Sequence, residues 1–273
     1  MILITGATGT IGSPLTRILT SQDVPFRAMS RTPSQTTIQA DFDDPASLAR
    51  AVDGIDTVFL LTAPASPTPA HDFAMIEAAQ NASVRKIVKL SAIGTGERND
   101  DGQVVGAVHL RAEEAVRASG LEWTILRPST FASNFAWWAG RIRAGEPVPN
   151  LTGDGRQGVV DPRDVAAVAA AALTEDGHSG RTYRLTGPEL LSVPEQGAII
   201  EKLFDRPVRT VDQSPAEARK QLPGDAAEMI LAGAAWVRQG HNAIVTGDVP
   251  AVLGRPAGTF EDWARENFPS EAV

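Results

Sequence analysis

Three glycines stand three residues apart near the start of the chain, in the segment ITGATGTIG. Gly6, Gly9 and Gly12 fall between a predicted buried strand (1–6) and a predicted helix (13–22). Glycine lets a backbone approach a pyrophosphate closely, and the start of a helix supplies free N–H groups and a favourable dipole. The spacing therefore predicts a dinucleotide-binding loop. Its expected cofactor contacts are Gly6, Thr8, Gly9, Thr10, Ile11 and Gly12.

The end of the second predicted strand (25–31) discriminates between NADP and NAD. An acidic side chain there would hydrogen-bond the ribose 2′-hydroxyl of NAD, whereas Ser30 and Arg31 occupy the position and an arginine suits a 2′-phosphate. The pattern favours NADP, with NAD as the alternative. The competing interpretation of Arg31 is that its side chain projects into solvent and binds no cofactor. The third (36–42) and fourth (56–64) predicted strands end at further expected cofactor contacts, namely Asp41, Phe42, Leu61, Thr62, Ala63 and Pro64.

A histidine and a glutamate lie one turn apart in AVHLRAEEAVRASG, residues 107–120, which has the apolar spacing of a helix. His109 titrates near neutral pH and is a candidate proton carrier. Glu113 is expected to hold the ring and raise its pKa. The alternative is a His–Glu pair on a partly exposed helix face, with no role in chemistry.

Apolar runs of strand length alternate with helix-like segments up to about residue 128. This rhythm predicts an α/β fold, a Rossmann-type doubly wound parallel sheet with helices on both faces. After residue 130 the rhythm loosens, and a smaller C-terminal substrate lobe is expected. The alanine-rich helix that follows is predicted to begin at Asp164 as its N-cap. The predicted Rossmann domain comprises 1–135 and 158–187, and the predicted substrate-binding lobe comprises 136–157 and 188–273.

Composition excludes several classes of function. The formal net charge of −8 over 273 residues disfavours nucleic acid as a partner. The chain has no cysteine, which removes thiol catalysis and suits a reducing compartment. No metal-ligand spacing, signal peptide or membrane-spanning run is found, so we expect a cytoplasmic monomer or homodimer that contacts neither membrane nor metal and acts on a small aromatic substrate.

Several motifs together resemble one family. They are TGATGTIG, the SR after the second strand, KLSAIG, H-x-x-x-E on a helix, WTILRPSTFASN, EDGHSGRTYRLTG (175–187) and GRPAGTFEDWARENF (254–268). The chain resembles the NmrA-like branch of the atypical short-chain dehydrogenase/reductases, and within it NAD(P)H:quinone oxidoreductases and triphenylmethane reductases. The resemblance implies a small lobe over the nicotinamide, with Pro128 and Thr130 beside that ring and Ser91 near the family's usual serine.

The tyrosine and lysine that standard members of the superfamily place four residues apart are missing. The only tyrosine, Tyr183, is followed four residues later by Gly187. The lysines are Lys86, Lys89, Lys202 and Lys220, and none falls on the 107–120 helix. The resemblance places His109 and Glu113 where that pair would stand, so we take these two residues and Ser91 as the candidate catalytic residues.

An aromatic segment follows the sixth predicted strand. Phe131, Phe135 and Trp138 share one face if residues 131–145 form a helix, and Asn134 lies beside them. The stripe is expected either to pack in a core or to stack on a flat substrate. The sequence thus predicts hydride transfer from NAD(P)H to a quinone or a polycyclic aromatic ketone, such as an aromatic polyketide. The alternatives are a non-catalytic, cofactor-sensing regulatory protein and an isomerase or dehydratase that uses the nicotinamide.

Overall fold

The computed structural model describes residues 1–32, 37–62, 68–222 and 224–269. Predicted elements appear in the expected order, although most strands are shorter than their apolar runs. The strands are β1 (Ile2–Ile4), β2 (Phe26–Ser30), β3 (Thr37–Gln39), β4 (Thr57–Leu60), β5 (Lys86–Leu90), β6 (Glu122–Pro128), β7 (Val148–Asn150), β8 (Gln157–Gly158), β9 (Arg181–Leu185), β10 (Leu190–Leu191) and β11 (Thr210–Asp212).

Helices connect these strands. They are α1 (Gly12–Ser21), α2 (Pro45–Val52), α3 (Ala70–Asn81), α4 (Ala107–Ala118), a 3₁₀ helix (Ala132–Trp138), α5 (Ala139–Arg143), α6 (Pro162–Thr174), α7 (Val193–Phe204), α8 (Pro215–Arg219), α9 (Gly224–Arg238), α10 (Asp248–Leu253) and α11 (Phe260–Asn267). Within the described ranges, none of them offers an apolar stretch of the length that a bilayer crossing requires.

Seven strands form the central sheet, in the order β3-β2-β1-β4-β5-β6-β9, and every neighbouring pair is parallel. Helices α1 and α6 cover one face, whereas α2, α3 and α4 cover the other. A parallel sheet covered on both faces explains why its strands are almost continuously apolar. The fold is therefore the Rossmann-type α/β architecture that the sequence predicts. Because all strands run the same way, their carboxyl ends meet at one edge of the sheet.

A third apolar cluster lies away from the central sheet. The 3₁₀ helix, α5, α7 and α11 contribute to it, and Phe260 and Trp263 are among its buried members. Two short strand pairs belong to the same part of the chain: β7 runs parallel to β11, and β8 runs antiparallel to β10. This part is therefore built from segments on both sides of α6 and β9.

Asp161, and not Asp164 as the sequence predicted, is the N-cap of α6. The Asp161 carboxylate accepts a hydrogen bond from the Arg163 amide at 2.7 Å, and Pro162 occupies the first helical position. Asp164 lies one turn inside the helix. It is buried, forms an ion pair with Arg255 at 2.8 Å and accepts a hydrogen bond from the Gly258 amide at 2.7 Å.

Candidate functional site

The glycine loop folds back tightly between β1 and α1. The Gly9 amide donates to the Gly6 carbonyl at 3.0 Å, and Gly6 has a φ of +62°, which favours glycine. A Cβ added at Gly12 would lie 2.1 Å from the Gly6 carbonyl oxygen, so no larger residue fits there. Thr8, Gly9 and Thr10 are exposed on the rim of the loop, whereas the Ile11 side chain is buried in the core. Any contact of Ile11 with a cofactor would therefore come from its backbone.

The start of α1 fits a phosphate group. Its N-cap, Ile11, makes no side-chain hydrogen bond, and the first turn contains no acidic residue. In the first turn, the Ser13 amide donates to the Gly9 carbonyl at 2.9 Å and Pro14 has no N–H, so α1 offers an anion the Gly12 amide and the helix dipole. Together with the glycine loop, they form a cradle whose donors and dipole suit a pyrophosphate.

Thr5 joins the glycine loop to the end of β4, a contact that the sequence analysis missed. Its Oγ1 lies 2.8 Å from the Leu61 carbonyl oxygen and 3.1 Å from the Phe59 carbonyl oxygen, and it accepts a hydrogen bond from the Leu61 amide at 2.7 Å. Leu61 is thereby held against Gly6, where an added Cβ would lie 2.8 Å from Leu61 Cδ2. The only sequence signal was the threonine that directly precedes the first glycine.

Ser30 and Arg31 lie at the carboxyl end of β2, as predicted. Ser30 Oγ accepts a hydrogen bond from the Thr32 amide at 3.2 Å, and Gln39 Nε2 donates to the Arg31 carbonyl at 3.2 Å. The Arg31 side chain is exposed, and within the described ranges it forms no ion pair. Its guanidinium is therefore available for an anionic ligand.

Asp41 and Phe42 lie beyond β3, which ends at Gln39 and not at residue 42 as predicted. Here the backbone turns toward α2, because the Ser47 hydroxyl accepts a hydrogen bond from the Asp41 amide at 2.9 Å. The Phe42 ring stacks on His71, with centroids 5.1 Å apart. Strand β4 likewise ends at Leu60, before the predicted residue 64. Leu61 and Thr62 follow it, and Ala63 and Pro64 lie outside the described residues.

The expected bond between His109 and Glu113 is absent. Glu113 is fully buried, and all four lone-pair positions of its carboxylate are filled by other donors. Oε1 accepts from Ser91 Oγ at 2.6 Å and Arg127 Nε at 2.8 Å, and Oε2 accepts from Nη2 of Arg127 at 2.7 Å and of Arg117 at 2.9 Å. No acceptor position remains for the imidazole, so the expectation that Glu113 holds the ring was wrong.

Two arginines face the buried Glu113 carboxylate, so the cluster of Glu113, Ser91, Arg117 and Arg127 has an excess of positive charge. Burial alone would raise the pKa of Glu113, but the hydrogen bonds from Arg127 and Ser91 and the charges of Arg127 and Arg117 lower it below its usual value. The Ser91 hydroxyl donates its hydrogen bond to this carboxylate. The two residues expected to be catalytic partners of His109 therefore bind each other inside the protein.

His109 stays uncharged at neutral pH. Burial of its ring, together with the nearby charge of Lys89, lowers its pKa to about 4, although Asp72 and Glu113 act in the opposite direction. The sequence analysis expected a raised pKa. The difference arises because desolvation and a lysine on the neighbouring strand outweigh the two carboxylates. A neutral imidazole still carries one N–H donor, so His109 retains the capacity to hydrogen-bond an oxygen.

A buried ion pair, which was not expected from the sequence, lies close enough to His109 to act on its charge. Lys89 on β5 contacts the Asp72 carboxylate of α3 at 2.8 Å, and both side chains are almost fully buried. Lys89 Nζ also donates to the Leu90 carbonyl at 2.7 Å. The other Asp72 oxygen accepts a hydrogen bond from Thr62 Oγ1 at 3.0 Å. A charged residue inside the apolar run RKIVKL was the signal available in the sequence.

The segment after β6 is tied to distant parts of the chain. Pro128 and Ser129 are buried, and the Thr130 hydroxyl donates to the Gln157 side-chain oxygen. Asn242 Nδ2 donates to Ser129 Oγ at 3.3 Å and to the same Gln157 oxygen at 3.2 Å. The predicted nicotinamide wall is therefore held by β8 and by the segment after α9.

The aromatic segment does not form the single helix that the sequence predicted. Residues 132–138 form a 3₁₀ helix with about three residues per turn, which changes the face that each ring presents. Phe135 is buried against Phe260 and Phe268, which is the core packing that the sequence left open beside stacking on a substrate. Phe131 and Trp138 are partly buried against apolar clusters, and Asn134 is partly buried. Trp137 is 75% exposed.

The remaining imidazoles and the tyrosine are engaged elsewhere. His178 Nδ1 lies 2.8 Å from the Tyr183 hydroxyl at the sheet edge. His71 pairs with Asp43 at 3.1 Å, and His241 pairs with Asp100 at 2.8 Å. Within the part of the chain that the structure describes, no group of three or more His, Asp or Glu side chains has a geometry that could hold a metal ion.

Comparison with known proteins agrees with this geometry. Residues 6–176 match the model of a family described as NAD(P)H-binding. The chain is 40% identical to (4-alkanoyl-5-oxo-2,5-dihydrofuran-3-yl)methyl phosphate reductase of Streptomyces griseus, with 98% of each chain covered. It is 33% identical to the NAD(P)H azoreductase of Xenophilus azovorans, with 97% of each covered.

A solved structure shows the same architecture with a nucleotide bound. The NADPH-dependent quinone oxidoreductase QOR2 of Escherichia coli, in complex with NADPH, superposes with a TM-score of 0.86 at 25% identity. The alignment covers 98% of this chain and all of that one. The glycine loop described above thus belongs to a fold that holds a nicotinamide cofactor.

Proposed function

Because this chain belongs to the NAD(P)H-binding family, as an NmrA-like member of the atypical short-chain dehydrogenase/reductases, and is an NAD(P)H-dependent reductase, we propose a class of hydride acceptor for it. The acceptor is a flat, conjugated compound, a quinone or a polycyclic aromatic ketone, and an aromatic polyketide is one example. The enzyme reduces it without the tyrosine and lysine that are usual in the superfamily.

The uncharged state of His109 carries this proposal. With a pKa of about 4, the imidazole is almost entirely unprotonated at neutral pH, so it has no acidic proton to give to the reduced oxygen. Acceptors that delocalise the incoming electron pair need little help from an acid, because their reduced oxygen is stabilised by conjugation. One relative is named for a quinone, which belongs to this class. The other two are named for an azo compound and a dihydrofuranyl phosphate, which lie outside it but are also conjugated acceptors.

We propose NADPH as the preferred cofactor. The glycine loop and the start of α1 would hold the pyrophosphate, and Arg31 with Ser30 would hold the 2′-phosphate. Asp41 and Phe42 would lie at the adenine, Leu61 to Pro64 beside the ribose and pyrophosphate, and Pro128 and Thr130 beside the nicotinamide. When bound, the reduced nicotinamide supplies the hydride.

The chain's own residues would then orient the acceptor. His109 offers an N–H group to the oxygen that gains charge, and Ser91 and Glu113 fix the strand and helix on which the site is built. We propose that residues 1–135 and 158–187 hold the cofactor, and that residues 136–157 and 188–273 complete the substrate side. Phe131, Asn134 and Trp138 remain the proposed substrate contacts, and the exposed Trp137 joins them.

One assay tests the proposal. Purified protein is mixed with NADPH or NADH and a panel of quinones, hydroxylated polycyclic ketones and simple isolated ketones, and the loss of absorbance of the reduced cofactor is followed. We expect turnover on the conjugated acceptors, faster with NADPH, and none on isolated ketones. Equal turnover on isolated ketones would contradict the proposed substrate class. Tight NADPH binding without turnover on any acceptor would contradict it as well.

A further inference from the structure

A continuous chain of polar contacts, from the partly buried Thr62 to the buried Asp72 and Lys89, links three elements at the carboxyl edge of the sheet. Thr62, directly after β4, donates to Asp72 on α3 at 3.0 Å, and Asp72 pairs with Lys89 on β5 at 2.8 Å. Lys89 is 1% exposed and Asp72 is 3% exposed. The chain begins in the proposed cofactor segment and ends beside the proposed hydrogen-bond donor, His109.

A buried ion pair is by itself weak evidence of a contribution to stability. Moving two charges out of water costs several kcal/mol per ion, and an apolar pair of similar volume often stabilises a protein equally well or better. The surroundings would accept apolar side chains, because Ile87 on the same face of β5 and Met75 on α3 both belong to the adjoining apolar cluster. The retention of an ion pair at this position therefore points to a role beyond packing.

Resting on the proposed function, we propose that Lys89 and Asp72 are positioning residues for the reduction. Through the hydrogen bond to Thr62 they fix the end of β4 at the place proposed for the cofactor, and the Lys89 ammonium lies on the His109 side of that link. A lysine delivered by strand β5 thus supplies charge at the site in place of the missing helix lysine. It acts on the reacting groups through Thr62 and His109.

The charges that face His109 come from each element packed beside it. Lys89 on β5 opposes protonation of the imidazole, whereas Asp72 on α3 and Glu113 on α4 favour it. Arg127 on β6 neutralises Glu113 through two hydrogen bonds. Removal of Lys89 leaves Asp72 without its cation and withdraws the opposing charge, so both changes raise the pKa of His109.

The experiment compares three forms of the full-length protein with the wild type. Asp72→Asn cuts the link between Thr62 and Lys89 with little change of shape, Lys89→Met removes the ammonium, and the double variant Asp72→Leu/Lys89→Met substitutes an apolar pair. Asp164→Asn is the matched control, because Asp164 is an equally buried carboxylate that pairs with an arginine at 2.8 Å but lies on α6. Readouts are thermal unfolding, NADPH binding by tryptophan fluorescence, kcat and KM, and the His109 titration by NMR.

We expect Asp72→Asn and the double variant to weaken NADPH binding about tenfold, and Lys89→Met to raise the His109 titration midpoint by about one pH unit. The pH at which kcat changes should move with that midpoint. Asp164→Asn should lower the unfolding temperature and alter neither readout. The double variant should fold at least as stably as the wild type, which separates positioning from folding.

The inference is overturned if the double variant binds NADPH as the wild type does and the His109 midpoint in Lys89→Met is unchanged. Both readouts work without an acceptor, so they report even where no substrate has been found. A wild-type protein that reduces no acceptor contradicts the proposed substrate class alone.

Discussion

Arg127 on β6 donates two parallel hydrogen bonds to Glu113 on α4. Nε donates to Oε1 at 2.8 Å, and Nη2 donates to Oε2 at 2.7 Å. This bidentate geometry is the strong form of an arginine–carboxylate pair. Ser91 binds the same carboxylate from the end of β5. Helix α4 is thereby locked to two strands at the turn that follows His109, so the orientation of the imidazole depends on a contact that it does not itself make.

Replacement of Glu113 should strongly destabilise the protein. Glu113→Ala leaves Arg127 facing a buried, empty carboxylate position, and breaking a buried pair of this kind costs about 3–5 kcal/mol. Urea unfolding followed by circular dichroism measures the change in the free energy of unfolding. Glu122→Ala is the control, because its pair with Arg85 is exposed and should be worth less than about 1 kcal/mol. Equal costs for the two variants would contradict the assignment.

The protein should become less stable as the pH is lowered, because of His109. The folded pKa of about 4 lies below the unfolded value of 6.5, so the unfolded chain binds more protons between these limits. Stability contributed by this group is complete above about pH 6.5 and is lost as pH falls toward 4, and it amounts to about 3 kcal/mol. His109→Gln, which cannot titrate, should show a shallower slope of the free energy of unfolding across this window. Parallel slopes would show that His109 titrates normally.

Arg31 should decide the preference for NADPH over NADH. Arg31→Glu places a negative charge where the 2′-phosphate would bind, and we expect kcat/KM for NADPH to fall about 10- to 100-fold, the range of a lost charge-assisted hydrogen bond. The value for NADH should change much less. Arg50→Glu, an exposed change of the same charge on α2, should leave the NADPH-to-NADH ratio unaltered. If both variants shift the ratio alike, net charge and not Arg31 sets the preference.

The glycine loop should not tolerate a methyl group at Gly12. Gly12→Ala forces a Cβ to within 2.1 Å of the Gly6 carbonyl oxygen, so the loop must open. We expect a loss of about 1–3 kcal/mol of stability from overpacking, together with at least tenfold weaker NADPH binding. Gly140→Ala on α5 meets no atom within 4 Å and should leave binding intact while adding up to about 1 kcal/mol of helix stability. Unchanged binding by Gly12→Ala would contradict the proposed phosphate cradle.

The sheet and the cofactor loop could be predicted because their signals are local. Apolar runs of strand length mark β1, β4 and β5, and the glycine spacing marks the turn into α1. The polar clusters could not be predicted, because their members come from separate elements. Lys89 and Asp72 meet only when α3 packs on β5, and Glu113 meets Arg127 only when α4 packs on β6.

The errors at the site have the same physical origin. Helical spacing placed Glu113 one turn from His109, but the carboxylate is saturated by donors from other elements. A helical period left Phe135 open to either core packing or a substrate contact, whereas the segment is a 3₁₀ helix and the ring packs against α11. Local periodicity indicated which residues lie near each other along one helix and gave no information on contacts between elements.

The pairing of β7 with β11 has a consequence for protein engineering. The two strands lie on opposite sides of α6 and β9 in the chain, so a change of acceptor cannot be grafted as one contiguous cassette. A chimera that exchanges only the segment between β6 and α6 would take β7 from one protein and β11 from the other. The two strands would then meet in an apolar interface for which neither was selected. An exchange that keeps this pairing intact must carry both segments together.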